Sequence, residues 1–305
     1  MRVLISGAGG FIGGHLAAAM ARNGNDVVAL IRRSAAGILD RHKNVRIERV
    51  DVATGAGPLP TGRFDALIHC AAAIPSAVPD EAELTRINIE GSLRLFEHAV
   101  KSGARVIVFC SSMAVYGRIA VNIVDPDTPV SDANAYGRSK LAAERMLAEL
   151  SRAHPGLRAL SIRLPGVVGA GSHHNFLSDT MGRLAAGEMI SVRNPDALFN
   201  NVVHIDDLAR FACTLLTALP RGHQVTTIAA VDPLPVREVV GILHAAAGGA
   251  GEIRYRSEGH SFLISNEHAR ALGYRPTTVR DAVHRFAAGY AAGLERSRRA
   301  PSPQK

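Results

Sequence analysis

Gly7-Ala8-Gly9-Gly10-Phe11-Ile12-Gly13 follows the apolar run Arg2-Val3-Leu4-Ile5-Ser6 and leads into His15-Leu16-Ala17-Ala18-Ala19-Met20. The order is strand, tight loop and helix start. Glycine is needed where the backbone takes positive φ or comes close to a ligand, and a helix N-terminus offers unpaired N–H groups and a partial positive charge. A pyrophosphate suits that environment, so the stretch predicts a dinucleotide held by Gly7, Gly10, Phe11, Ile12 and Gly13. Glycine turns also join strands to helices for structural reasons alone; the flanking strand and helix are what favour binding. The three-residue rhythm of Gly7, Gly10 and Gly13 departs from the plain G-x-G-x-x-G form.

Outward from this loop, strand and helix keep alternating. Apolar runs over 26–31, 44–50, 65–70, 105–110 and 158–164 read as strands, and 88–101 and 136–153 as helices. Continuous apolar strands in this alternation predict an α/β fold, a doubly wound parallel sheet covered by helices on both faces. From Pro165 the texture changes, with Gly166, Gly169, Gly171 and two histidines before a helix over 174–186. A strand over 201–205, a helix over 206–219, a strand over 225–230, a helix from Val236 and a closing helix with an apolar face of Val279, Ala282, Val283, Phe286 and Tyr290 complete the chain. The predicted organisation is a dinucleotide domain over 1–165, continued by 199–230; a substrate lobe over 166–198 and 231–276; and a closing helix with a disordered basic tail over 277–305.

Composition narrows the functional class. The 305 residues carry 47% hydrophobic side chains and a formal charge of +8. The basic residues are dispersed and mostly lack interleaved aromatics, so an anionic cofactor and substrate explain the charge as well as nucleic acid would, and no nucleic-acid partner is expected. The densest basic cluster, Arg296 to Arg299, reads as part of the solvated tail. No apolar run reaches membrane-spanning length and no leader precedes the first strand, so a cytoplasmic protein without a membrane partner is expected. Cys70, Cys110 and Cys213 lie scattered in apolar contexts without metal-ligand spacing, as buried reduced thiols do.

The chemistry gathers at Tyr136-Gly137-Arg138-Ser139-Lys140, where a tyrosine and a lysine four apart share one helix face. An ammonium and a cationic nicotinamide favour a phenolate, and a tuned phenol can exchange a proton with a substrate oxygen while hydride moves at carbon. Ser112 stands where the strand from Arg105 ends, the side of a doubly wound sheet on which ligands bind, and it can orient the same oxygen.

Together with Gly7, Gly10 and Gly13, the segments Asp51-Val52, His69-Cys70-Ala71-Ala72, Asn88-Ile89-Glu90-Gly91, Ser111 to Gly117, Tyr136-x-x-x-Lys140, Arg163-Leu164-Pro165, Val203 to Asp207 and Leu272 to Pro276 give the chain its resemblance to the extended short-chain dehydrogenase/reductase family, in its NAD(P)-dependent sugar epimerase and dehydratase branch. The resemblance spans nearly the whole chain. It implies a Rossmann-type domain with a small C-terminal substrate-binding lobe, Tyr136 as acid/base, Lys140 on the nicotinamide ribose, and Ser112 on the substrate oxygen. It also implies Asp51 and Val52 near the adenine, Ala71 and Pro165 in the cofactor site, and a homodimer made through the helices that contain Asn88 and Tyr136.

Departures from the family pattern carry information of their own. NAD-using members place an acid at the end of the second strand, where this chain has Ile31 followed by Arg32 and Arg33; two guanidiniums suit a 2′-phosphate, so NADP is expected, with NAD possible. Met113 and Ala114 occupy the positions of the dehydratases' proton-transferring pair, which disfavours dehydration. Asn175-Phe176 matches a substrate-diphosphate contact, whereas Asn200 stands where a phosphate-binding arginine is usual, and Arg193 and Arg256 are candidate replacements. His173 and His174 read as surface polar groups, with no metal implied. The expectation is an NADP-dependent oxidoreductase acting on a carbonyl or hydroxyl of a sugar nucleotide of keto-deoxysugar type. The alternatives are a sugar-nucleotide epimerase, a reductase of a non-nucleotide carbonyl, and a catalytically silent nucleotide sensor.

Overall fold

Seven strands, all parallel, form the central sheet of the computed structural model, which describes residues 1–32, 38–52, 54–249 and 251–299, the last nine by backbone alone. Arg33 lies outside the described residues. Five of the strands are β1 (Arg2–Ser6), β2 (Asp26–Ile31), β3 (Val45–Arg49), β4 (Ala66–His69) and β5 (Val106–Ser112). The order across the sheet is Gly222–Thr227, Arg158–Leu164, β5, β4, β1, β2, β3. Winding runs one way from β1 and the other way from β4, so the carboxyl ends of these two strands flank the switch point where α/β folds of this kind bind ligands. β4 is buried at every position, as expected of a strand covered on both faces.

Three helices frame that point: α1 (Phe11–Arg22), α2 (Glu81–Lys101) and α3 (Ala135–Ala153). Leu95, Phe96 and Leu147 of α2 and α3 join Leu4, Leu67 and Phe109 of the sheet in one core cluster. α2 starts at Glu81 rather than at Asn88. Asp80 caps it by accepting from the Glu83 backbone N–H at 2.7 Å, and an acid followed three residues later by glutamate is the signature of a capped start. Asn134 caps α3 in the same way, through the Gly137 N–H at 2.8 Å.

The chain divides into two compact units. The first holds residues Met1–Leu164, Asp206–Ile228 and Ser265–Arg275; the second holds Pro165–Ile205, Ala229–Ile264 and Pro276–Lys305. In the second unit the helices Phe176–Ala185, Val236–Ala246 and Val279–Arg299 share a core of Leu177, Met181, Val240, Leu243, Val283 and Phe286. Short strand pairs complete it, Gly166–Val168 with Val202–His204 and Ile190–Arg193 with Ile253–Arg256, both parallel. The helix expected from 174 starts at Phe176, because His174 takes φ 57° and Asn175 is the cap. The strand expected over 225–230 runs instead from Gly222 to Thr227. The Arg296 to Arg299 cluster, expected in the tail, continues the last helix. Among the described residues no helix is long and apolar enough to cross a membrane.

Candidate active site

A cleft of about 530 Å³ opens at the switch point, with Gly7, Gly10, Arg32, Asp51, Val52 and Ala71 in its wall. These residues come from the ends of β1, β2, β3 and β4, which the parallel order brings together from far apart in sequence. Phe11, Ile12 and Gly13 form the first turn of α1 behind the loop. The site fits a dinucleotide on two observations. Gly7 has φ 69°, and a Cβ there would lie 2.7 Å from the Ala71 nitrogen; one on Gly13 would lie 2.3 Å from the Gly7 oxygen, so backbone occupies the space of both side chains. In addition, α1 has neither a side-chain cap nor an acid in its first turn, so its dipole favours an anion there.

Ser112, Tyr136 and Lys140 belong to the same unit. Ser112 ends β5 and caps the short turn Met113–Tyr116, its Oγ accepting from the Ala114 N–H at 3.1 Å, so its own O–H is available to donate. Tyr136 lies half-buried in the first turn of α3. One turn on, Lys140 is 3% exposed, and its Nζ donates to the Cys110 carbonyl at 2.9 Å while standing 4.7 Å from the Phe109 ring centre and 5.7 Å from that of Tyr136. The ammonium is fixed between the end of β5 and the phenol ring rather than moving in solvent.

Sequence reasoning gave no role to the polar groups beneath this surface. His69, 2% exposed, meets Ser6 Oγ through Nδ1 at 2.6 Å and Ser92 Oγ through Nε2 at 3.0 Å, and stacks on Phe109 with ring centres 5.2 Å apart. Asn88 accepts from the Ala73 N–H at 2.7 Å and donates to Ser139 Oγ at 3.0 Å, and Ser139 donates to the Tyr136 carbonyl at 2.8 Å. The cleft wall at 71–73 is thereby tied to the turn that carries Tyr136. One turn beyond Lys140, Glu144 pairs with Arg163 at 2.8 Å, both side chains below 8% exposure, and accepts from Ser111 Oγ. The one signal available in sequence is a polar residue at an apolar-phase position of a helix, as at Asn88 and Glu144.

Burial, reinforced by the charge of Lys140, pushes the His69 pKa well below its ordinary value. In the unfolded chain the imidazole titrates near its ordinary ~6.5, so the folded state binds its proton at lower pH, and stability present above that value is lost as pH falls. His98 and His223, also pushed down by burial, add to the same trend. Denaturant midpoints should therefore drop as pH falls below about 6.5, the fully buried His69 contributing up to about 1.4 kcal/mol per pH unit and the more exposed His98 less. His69→Gln should flatten that slope, and an unchanged slope in the variant would remove His69 from the account.

The remaining predicted residues belong to the second unit, which Pro165 opens. Asn175 caps its helix through the Ser178 N–H at 3.0 Å and donates to the Val167 carbonyl at 3.2 Å. Phe176 is 44% exposed, with its ring centre 5.9 Å from that of Phe199. Asn200 is buried and meets both backbone groups of Ile264, donating to O at 2.8 Å and accepting from N at 2.9 Å. An arginine has no acceptor and cannot make that double bridge. Arg193 pairs with Glu258 at 3.5 Å. The rings of His173 and His174 lie 4.8 Å apart, and no group of three metal-capable side chains occurs among the described residues.

A glycine-cradled cleft at the switch point of a parallel sheet, with this sequence around it, defines an NAD(P)-dependent enzyme of the extended short-chain dehydrogenase/reductase type. The model of the NAD dependent epimerase/dehydratase family matches residues 3–229, and the chain belongs to that family. The UDP-glucose 4-epimerase of Azospirillum brasilense is 28% identical over 243 residues, covering 72% of this chain and 70% of its own. That of Neisseria meningitidis serogroup A is 26% identical over 310 residues, covering 96% and 83%. Among solved structures, MoeE5 in complex with UDP-glucose and NAD superposes with a TM-score of 0.78 at 25% identity, covering 96% of this chain and all of that one (100%).

Proposed function

We propose that this protein is a sugar-nucleotide epimerase that inverts one hydroxyl-bearing carbon, C4 of a UDP-hexose, with bound NAD(P). The observation that carries this reading is the alignment of UDP-glucose 4-epimerases along most of the chain. It favours the epimerase over the keto-deoxysugar reductase. The chemistry a nicotinamide supplies when bound is reversible hydride acceptance at that carbon. The chain's own groups manage the oxygen: the Tyr136 hydroxyl takes its proton and gives it back, and the Ser112 O–H holds it in line. Lys140, fixed by the Cys110 carbonyl, keeps a positive charge beside the Tyr136 ring and has further N–H groups for a ribose. Met113 and Ala114 carry no proton that could serve an elimination.

Purified protein given UDP-glucose should form UDP-galactose to an equilibrium ratio with no net change in reduced cofactor, followed by chromatography and absorbance. Consumption of a 4-keto-6-deoxy sugar nucleotide with stoichiometric loss of NADPH, and no interconversion, would replace this reading with the reductase.

One observation favours NADP within the same reading. Arg32 is exposed in the wall of the cleft next to Ile31, with no carboxylate at either position to accept from a ribose hydroxyl. On that basis wild type binds NADPH more tightly than NADH and Arg32→Asp reverses the order; tighter NADH binding by wild type, in a fluorescence titration, would reject it.

A further inference from the structure

Cys70 and Cys110 have their Sγ atoms 3.5 Å apart. They occupy the rung after His69 and Phe109, which are register partners on the neighbouring strands β4 and β5. Register partners on adjacent parallel strands turn their side chains to the same face about 4.8 Å apart, within the Cα span a disulfide bridges. Cys70 follows the last residue of β4 and its N–H donates to the Ser6 carbonyl of β1 at 3.3 Å, so closure falls to the two side chains, whose sulfurs already meet. It also lines the cleft that contains Gly7, Arg32 and Asp51, whereas Cys110 lies buried behind it. Cys213 is a control within the same chain, its thiol facing Met20 Sδ at 3.6 Å instead of another cysteine.

We propose that Cys70 and Cys110 are a dithiol that peroxide oxidises to a reversible disulfide, reached through the cleft and shielded when a dinucleotide occupies it. The Cys110 thiol is held below its ordinary range by the Cys70 thiol donating to it and by the nearby charge of Lys140, while Cys70 is pushed up. Cys110 is thus the more readily deprotonated of the two. Its sulfur attacks one peroxide oxygen, the O–O bond breaks, and the hydroxide released takes a proton to leave as water. Cys70 sulfur then displaces hydroxide from the Cys110 sulfenic acid, forming the S–S bond, and the Cys70 proton leaves with that hydroxide as a second water. Two thiols are oxidised and one peroxide is reduced. Closure pulls on the residue whose carbonyl anchors Lys140, which links the oxidation state to the site.

The test is a thiol count and intact mass on the full chain after brief exposure to hydrogen peroxide. Two of the three thiols should be lost, with a mass loss of two hydrogens, a Cys70–Cys110 crosslinked peptide, and full recovery in dithiothreitol. Cys213→Ser should behave like wild type in this respect, and Cys70→Ser should form no disulfide. Saturating NADH should slow the loss. That last arm rests on the cleft being the dinucleotide site, which NADH fluorescence reports separately, so a failure to bind is distinguished from a failure to protect. Retention of all thiols, a crosslink through Cys213, added oxygen on a single cysteine, or an undiminished rate with NADH bound would each overturn the proposal.

Discussion

Tyr136→Phe should lower turnover by about 10²–10⁴-fold while leaving the dissociation constant for the dinucleotide nearly unchanged. The substitution removes one oxygen and nothing else. Lys140 stands 5.7 Å from the centre of the Tyr136 ring and is anchored by the Cys110 carbonyl at 2.9 Å, so phenylalanine keeps the ring beside the ammonium and the packing of the first turn of α3. The wall of the cofactor cleft is set by Gly7, Gly10, Arg32, Asp51 and Ala71, none of which the change touches. In the proposed mechanism only the proton at the substrate oxygen is lost. The measurement is kcat and KM for UDP-glucose beside an NADH titration. Turnover within a few-fold of wild type would take Tyr136 out of the proton transfer.

The second large effect is on stability. Glu144→Ala should destabilise the first unit by about 3–5 kcal/mol, the range for leaving one partner of a buried ion pair uncompensated. Arg163 is 7% and Glu144 4% exposed as side chains, and the pair is bidentate, with Nε to Oε1 at 3.1 Å and Nη2 to Oε2 at 2.8 Å. Alanine leaves the guanidinium with the Pro126 carbonyl at 3.0 Å and the Tyr116 ring at 4.7 Å, neither of which supplies a negative charge. At about 2–4 °C of Tm per kcal/mol, the expected loss is roughly 6–20 °C. Glu144→Leu combined with Arg163→Met should recover most of it, since removing both charges leaves no ion without its partner. A drop below about 1 kcal/mol for Glu144→Ala would mean that the pair adds no more than a surface one does.

These two sites differ in how far they could be read from the chain. Tyr136 and Lys140 are four residues apart, so helical geometry alone puts them on one face. Glu144 and Arg163 belong to a helix and a strand, and only their packing brings the charges together. The start of α2 at Glu81 was legible in Asp80 and Glu83 through capping chemistry, whereas the apolar periodicity that marked the helix begins later. His69 reads in sequence as one polar residue after an apolar run; its serine partners come from β1 and α2. Asn200 read as a gap in a phosphate site, and its burial and pairing with Ile264 depend on a segment more than sixty residues away.

By itself the sequence determined the parallel α/β architecture, the glycine loop and the Tyr136–Lys140 pair, because each rests on local rules: strand and helix periodicity, the space a missing Cβ leaves, and the spacing of one helical turn. Tertiary structure alone decided which distant groups share a boundary: Cys70 against Cys110, Glu144 against Arg163, Asn88 against Ala73 and Ser139. Those contacts are fixed by the order and register of strands in the sheet, and register is a property of how elements pack rather than of any one stretch of chain.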